Sequence, residues 1–200
     1  MSTSPRKYHH GDLRETLLRA AERMIDSDVA RDFSLRELAR EAGVSHAAPY
    51  KHFTERREIV LALAERWMDD FVGAQREASD PADAAANLVA LGAAYVRYAD
   101  AHPSRFAVIF DPSINRPGAQ PTAGFAEAVQ EHTQLLHRAV ERAAGAGVVA
   151  HGGPATAAAL WSLVHGLATL VTLGYLSYPD TEPILSALVD LTGGPEGVRS

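Results

Sequence analysis

Within the stretch His46 to His52 (HAAPYKH), two histidines, a tyrosine and a lysine offer hydrogen-bond donors, acceptors, aromatic faces and a positive charge. On the outer and leading faces of a helix, such groups suit base edges and phosphate oxygens. Other candidate chemistry is thinner. His137 and Glu141 stand four residues apart, a spacing that fits two metal ligands on one helix, but surface helices produce it often. His9-His10 could bind a metal, although Gly11 and Asp12 follow at once. No serine-histidine-aspartate order, nucleotide-binding glycine loop or pair of carboxylates in an apolar setting stands out. Cysteine is absent, which removes thiolate nucleophiles, disulfides and cysteine-held zinc. The expectation is no catalytic residue, no metal and no cofactor.

The elements that position HAAPYKH must come from an ordinary soluble composition of 200 residues, 46% hydrophobic and 22% charged. The net charge of −6 is uneven: residues 1–60 carry 11 Lys+Arg against 10 Asp+Glu, and the remainder carries 8 against 15. A near-neutral amino end on an acidic body fits a local contact with a polyanion. The start, MSTSPRKYHHGD, has no apolar stretch of the signal-peptide kind, so a cytoplasmic location is expected. The run Ala155–Leu176 approaches the length of a membrane span, but Trp161, Ser162, His165 and Gly166 interrupt it. A buried soluble helix is the expected form.

Period-two alternation is missing and helical spacing recurs, so the predicted fold is all-α with about nine helices. Asp12 and Glu15 have capping-box spacing ahead of Leu13, Leu17, Ala20, Ala21, Met24 and Ile25. Ser34 and Glu37 repeat the device ahead of Leu35, Leu38, Ala39 and Ala42, and Gly43 suits a left-handed stop. A long helix should begin near Glu55, carry Trp67 and Phe71 inward and end around Ser79. Further helices are predicted over 84–101, from Ser104 to Phe110, and over 122–144, 155–176 and 181–191. Residues 111–121 form a loop. The predicted division is an N-terminal arm and three-helix unit, residues 1–56, followed by a larger helical unit, 57–200.

The two segments flanking Gly43 have the lengths of a helix-turn-helix, with Val44 plugging the angle and Ser45 capping the second helix. An ordinary αα-corner shares this glycine and serine. Pro49 then falls four residues into the second helix. Two arrangements accommodate it: a loosened first turn, the favoured one, or a regular part that opens at Pro49 itself.

The motif LRELAREAGVSHAAPYKHFTERREIV, with its Gly-Val-Ser turn and Tyr-x-His-Phe ending, resembles the DNA-binding domain of the TetR family of bacterial transcriptional regulators. LWSLVHGLATL, with Trp161, His165 and Gly166, is similar to a regulatory-domain type named for a Trp-His-Gly signature, and YHHGDLR is similar to the arm that precedes its first helix. Together these resemblances cover most of the chain. They imply a ligand-responsive regulator, most often a repressor, that binds a near-palindromic operator as a homodimer. Tyr50 and His52 would touch phosphates, and His46 and Ala47 would face bases. Ser34 and Arg36 would meet the backbone, as would the amide of Arg56. Ser45 and Lys51 would belong to the same surface, with a solvated face as the alternative for Lys51, and Arg6 and Lys7 would reach the minor groove or a phosphate unless they are a solvated terminus.

In the larger unit, Trp67, Phe71, Leu91, Tyr95, Phe106, Phe110, His132, Trp161 and His165 are candidates for a small-molecule pocket, with ordinary core packing as the alternative for each. The resemblance also implies dimerisation through residues 155–176 and 181–191, with Ala168, Thr172 and Gly174 permitting close approach. The helix from Glu55 to Ser79 would join the two units. The competing reading is an all-helical enzyme or carrier in which the helix-turn-helix is only a corner. A regulator with no effector is a third.

Overall fold

Good helix formers fill nearly every window of the chain. The computed structural model, which describes residues 10–27, 32–80, 82–115 and 120–193, contains no strand among them. Eight α-helices follow in order: α1 (His10–Asp26), α2 (Leu35–Glu41), α3 (Arg56–Ala78), α4 (Ala84–Ala101), α5 (Pro103–Ile109), α6 (Ala123–Gly145), α7 (Gly153–Thr172) and α8 (Thr181–Thr192). Two 3₁₀ turns, Pro49–Lys51 and Tyr178–Asp180, complete the set. The segment expected as a ninth helix is the first of these turns.

Capping explains several boundaries. At α2 the Ser34 hydroxyl accepts from the Glu37 amide at 3.2 Å, and the Glu37 carboxylate accepts from the Ser34 amide at 2.7 Å. This is the expected capping box. Gly43 (φ 67°) stops α2 in a Schellman arrangement: Val44 N–H donates to Ala39 O at 2.9 Å and Gly43 N–H to Arg40 O at 3.1 Å. The other expected boxes need correction. Helix α1 begins at His10, so Asp12 lies inside its first turn, and Glu15 is taken instead by the Arg66 guanidinium at 2.9 Å. Ser104 does not cap α5, because Pro103 already occupies the first helical position and His102 precedes it.

Helix α4 packs against α3, α5, α6, α7 and α8, and so forms the centre of the larger unit. Its alanines keep the helices close, and at Gly92 the Leu185 side chain of α8 lies close against the backbone. A Cβ there would stand 2.8 Å from Leu185 Cδ2. One buried cluster runs from Leu17 and Leu18 of α1 through Trp67 and Phe71 of α3 to Leu167 of α7 and Leu185 of α8. Polar ties reinforce the junction of α1 with the body. Arg105 of α5 meets Asp26 at 2.6 Å and Glu22 at 3.1 Å, and Trp67 Nε1–H donates to Glu22 at 3.2 Å.

Helix α7 ends at Thr172, four residues earlier than expected, and Gly174 (φ 76°) lies in the turn beyond it. It is the one helix among the described residues long and apolar enough to cross a membrane, with a mean hydropathy of 1.4 over its best window. Only 22% of that window is buried within the chain. Ala157, Leu167, Ala168 and Val171 face inward, whereas Leu163, Leu170 and, past the helix, Leu173 and Tyr175 are exposed.

Candidate functional site

The HAAPYKH segment is held out from the body by the turn at Gly43 behind it and by α3 ahead of it. Ser45 does not cap a helix with its side chain. Its carbonyl instead accepts from the Ala48 amide at 2.9 Å, closing a single turn over His46 and Ala47. The regular part opens at Pro49, the first residue of a 3₁₀ turn, where the missing amide proton is not needed. The second of the two arrangements open to the sequence is therefore the one adopted, with a preceding turn rather than a frayed one. Ala48 keeps right-handed helical angles (φ −64°, ψ −43°) in spite of the proline after it. Lys51 N–H to Ala48 O (3.2 Å) and Phe53 N–H to Pro49 O (2.9 Å) carry the coil to its end.

This geometry sorts the segment into two faces. Ala48, Pro49 and Phe53 are buried against the first helices, with the Arg14 guanidinium over the Phe53 ring at 5.4 Å. Ser45, His46, Ala47, Tyr50 and Lys51 are exposed, Tyr50 at 57%. Ser34 and Arg36, at the start of α2, are exposed too. His52 differs from the rest: it is half-buried and its Nε2 is enclosed without a partner. The Arg56 side chain is drawn inward, stacked 5.1 Å over Phe33 and 3.8 Å from Asp32. Its backbone opens α3, whose N-cap Glu55 makes no side-chain cap bond. Arg6 and Lys7 lie outside the described residues.

The aromatic residues of the body separate into two groups. A cavity of about 400 Å³ is lined by Phe110, His132, Trp161 and His165 from the expected set, together with Met68, Asn115, Leu136 and His137. A narrower space of about 50 Å³ adjoins it through His132, Leu136 and Trp161 and adds Leu91 and Tyr95. Trp67, Phe71 and Phe106, also expected at the pocket, line neither space. Trp67 is fixed to Glu22, Phe71 is buried with its ring 4.9 Å from that of Tyr95, and Phe106 stacks behind His165 at 5.5 Å.

Two polar pairs stand at the cavity wall. The Tyr95 hydroxyl meets His165 Nδ1 at 2.8 Å, and His132 Nδ1 meets Gln75 Oε1 at 3.1 Å. Burial pushes the Tyr95 phenol far above its usual range, with Trp161 a weaker opposing influence, so it stays protonated. Burial also lowers the His132 imidazole to about 4 and lowers His165, so both favour the neutral form at pH 7. Gln75 was not anticipated, because AQREASD reads as a charge-rich helix end. Its spacing of four from Phe71, itself four from Trp67, was the signal that placed it on the buried stripe. Asn115 lies in the stretch that read as plain loop.

The comparisons with known proteins agree with this geometry. Residues 17–63 match the family described as bacterial regulatory proteins, tetR family. Residues 88–192 match the family described as tetracyclin repressor-like, C-terminal domain. The chain belongs to the TetR family of bacterial transcriptional regulators, DNA-binding proteins with a ligand-binding carboxyl-terminal unit. Among solved structures, it is similar to a protein of unknown function from Rhodococcus sp. RHA1, at 36% identity over 94% of this chain and 97% of that one (TM-score 0.75). It is also similar to a regulatory protein of the tetR family from Rhodococcus RHA1, at 20% identity over 92% and 98% (TM-score 0.69). The transcriptional regulator FadR from Bacillus subtilis, solved with stearoyl-CoA, shares 14% identity over 91% and 99% (TM-score 0.69). At those last two identities the likeness shows the fold alone. No curated protein matches the chain.

Proposed function

We propose that the protein is a homodimeric repressor that lays HAAPYKH into the DNA major groove and lets go of its operator when a small molecule fills the 400 Å³ cavity. The observation that carries the DNA half is the two-faced turn, whose apolar side anchors it while His46, Ala47, Tyr50 and Lys51 stand clear of the body. His46 and Ala47 would face base edges. Tyr50, Lys51, Ser34, Arg36 and the Arg56 amide would meet phosphates, with Ser45 at the edge of the contact. His52, half-enclosed, would contribute through its exposed atoms only. Residues 1–56 then act as the reading head and 57–200 as the body, with α3 joining them.

The dimer reading rests on the uncovered face of α7. Leu163, Leu170, Leu173 and Tyr175, with Leu191 at the end of α8, are exposed apolar groups. A twofold partner would cover them and would place two reading heads about one DNA turn apart, ~34 Å. The full-length protein should be used to select bound sequences from random duplexes. Recovery of an inverted repeat supports both groove docking and twofold pairing. Recovery of no preferred sequence at low salt would leave the helix-turn-helix as a structural corner.

A further inference from the structure

The cavity wall has a chemistry of its own that narrows what can occupy it. Neither adjoining space is lined by lysine, arginine, aspartate or glutamate. Most lining groups are apolar, among them Met68, Phe110, Leu136 and Trp161. Several polar atoms are already used by the protein. The Thr133 hydroxyl donates to Val129 O at 2.9 Å, and Asn115 Nδ2 donates to Ile109 O at 3.2 Å.

Among the groups that remain are one ring nitrogen each on His132 and His165, and the bonding around them sets their roles. Gln75 Nε2–H donates to Phe71 O at 3.3 Å, so Gln75 Oε1 is the atom that faces His132. An amide oxygen only accepts, so His132 Nδ1 carries the proton and its Nε2 is a bare acceptor. His132 is 8% exposed and lines both spaces, and its Nε2 has no hydrogen-bond partner among the described residues. At His165 the order is reversed. When the Tyr95 phenol donates to Nδ1, Nε2–H is left as a donor on a ring that lines the larger space. Both imidazoles are kept neutral by burial, so neither offers a fixed charge to a ligand.

We infer that the effector is an uncharged, largely apolar molecule bearing a hydroxyl, which donates to His132 Nε2 and accepts from His165 Nε2–H. This deepens the regulatory reading and rests on it for the word effector, but not for the site itself. A volume of about 400 Å³ falls within the range of small-molecule sites, roughly 300–1,000 Å³. A ligand with a phosphate-rich head would bring several negative charges against a wall without one lysine or arginine, which costs heavily when buried. A hydroxyl is the simplest group that both gives and takes a hydrogen bond, so it suits an acceptor nitrogen and a donor nitrogen alike.

The test is calorimetric titration of the full-length protein, without DNA, with two matched series. The first is biphenyl, 4-phenylphenol and biphenyl-4-carboxylate; the second is decane, 1-decanol and decanoate. The hydroxyl member of at least one series should bind about tenfold or more tighter than both its hydrocarbon and its carboxylate, the size of one or two neutral hydrogen bonds. His132→Asn keeps a group for Gln75 but removes Nε2, and His165→Asn keeps an acceptor for Tyr95 but removes Nε2–H. Each should erase the preference for the hydroxyl while leaving the hydrocarbon within about threefold. Melting of the unliganded variants shows whether they fold; if one does not, the other and the wild-type series still decide. A carboxylate that binds as tightly as the alcohol would point to half-buried His137 as an anion partner and overturn the inference. So would failure of both hydroxylated probes to bind, or a hydroxyl preference that survives both substitutions. Operator release is measured separately, so a hydroxyl-selective site without release would fault the regulatory reading and not this one.

Discussion

His132 should make stability depend on pH in a way that one substitution abolishes. Its imidazole is buried among Phe71, Tyr95 and Gln75, and that burial lowers it from an ordinary 6.5 to about 4. The unfolded chain therefore takes up a proton at this residue between pH 6.5 and 4 while the folded one does not. The stabilisation is complete above that window and is lost as pH falls through it. Linkage between these two values gives a loss of about 0.2 kcal/mol at pH 7 and about 2 kcal/mol at pH 5. Urea unfolding at both pH values, at one fixed protein concentration, measures the change. His132→Asn preserves a partner for Gln75 and does not titrate. The wild type should thus lose about 2 kcal/mol more than the variant between pH 7 and pH 5. Other groups, His165 included, contribute to both proteins and drop out of the difference. Parallel pH curves for the two proteins would show that His132 is not held neutral, and the roles assigned to its two nitrogens would fall with it.

Other expectations concern the reading head and the dimer. Pro49 begins its 3₁₀ turn at a position where proline is well suited. Pro49→Leu should therefore lower stability by about 0.4–1 kcal/mol rather than raise it, as urea unfolding would show. Tyr50→Phe and Arg36→Ala should each weaken operator binding. Each should also flatten the plot of log affinity against log salt by about one unit if a phosphate contact is lost; unchanged slopes would refute the docking. Leu173→Glu, at a position 65% exposed in the single chain, should yield a folded monomer in sedimentation, whereas an unaffected dimer would place the interface elsewhere.

Where a local rule acted alone, the sequence was a sufficient guide. Ser34 with Glu37 and Gly43 with Val44 delimit α2 by contacts within a few residues, and the structure has them as read. Asp12 with Glu15 showed the same spacing, but a tertiary partner, Arg66, took the glutamate. The form of the segment around Pro49 needed the knowledge that Ala48 and Pro49 are buried, which packing decides and periodicity does not. The pocket was half legible. Aromatic residues at helical spacing identify a buried stripe, yet whether a ring lines a void or fills one depends on helices far away in sequence. Hence Trp67 and Phe106 fell to the core, and Gln75 and Asn115, polar and unremarkable in sequence, reached the cavity or its wall.

The grip of Arg105 on Glu22 and Asp26 has a bearing on how such a molecule can be taken apart. A fragment cut before α3 would leave both acids without their cation, and α1 without the α3 and α5 surfaces it packs on. The head is not portable cargo. Chimeras that graft it onto a related body keep these polar ties only when the recipient brings an arginine to the position of Arg105 and an indole to that of Trp67.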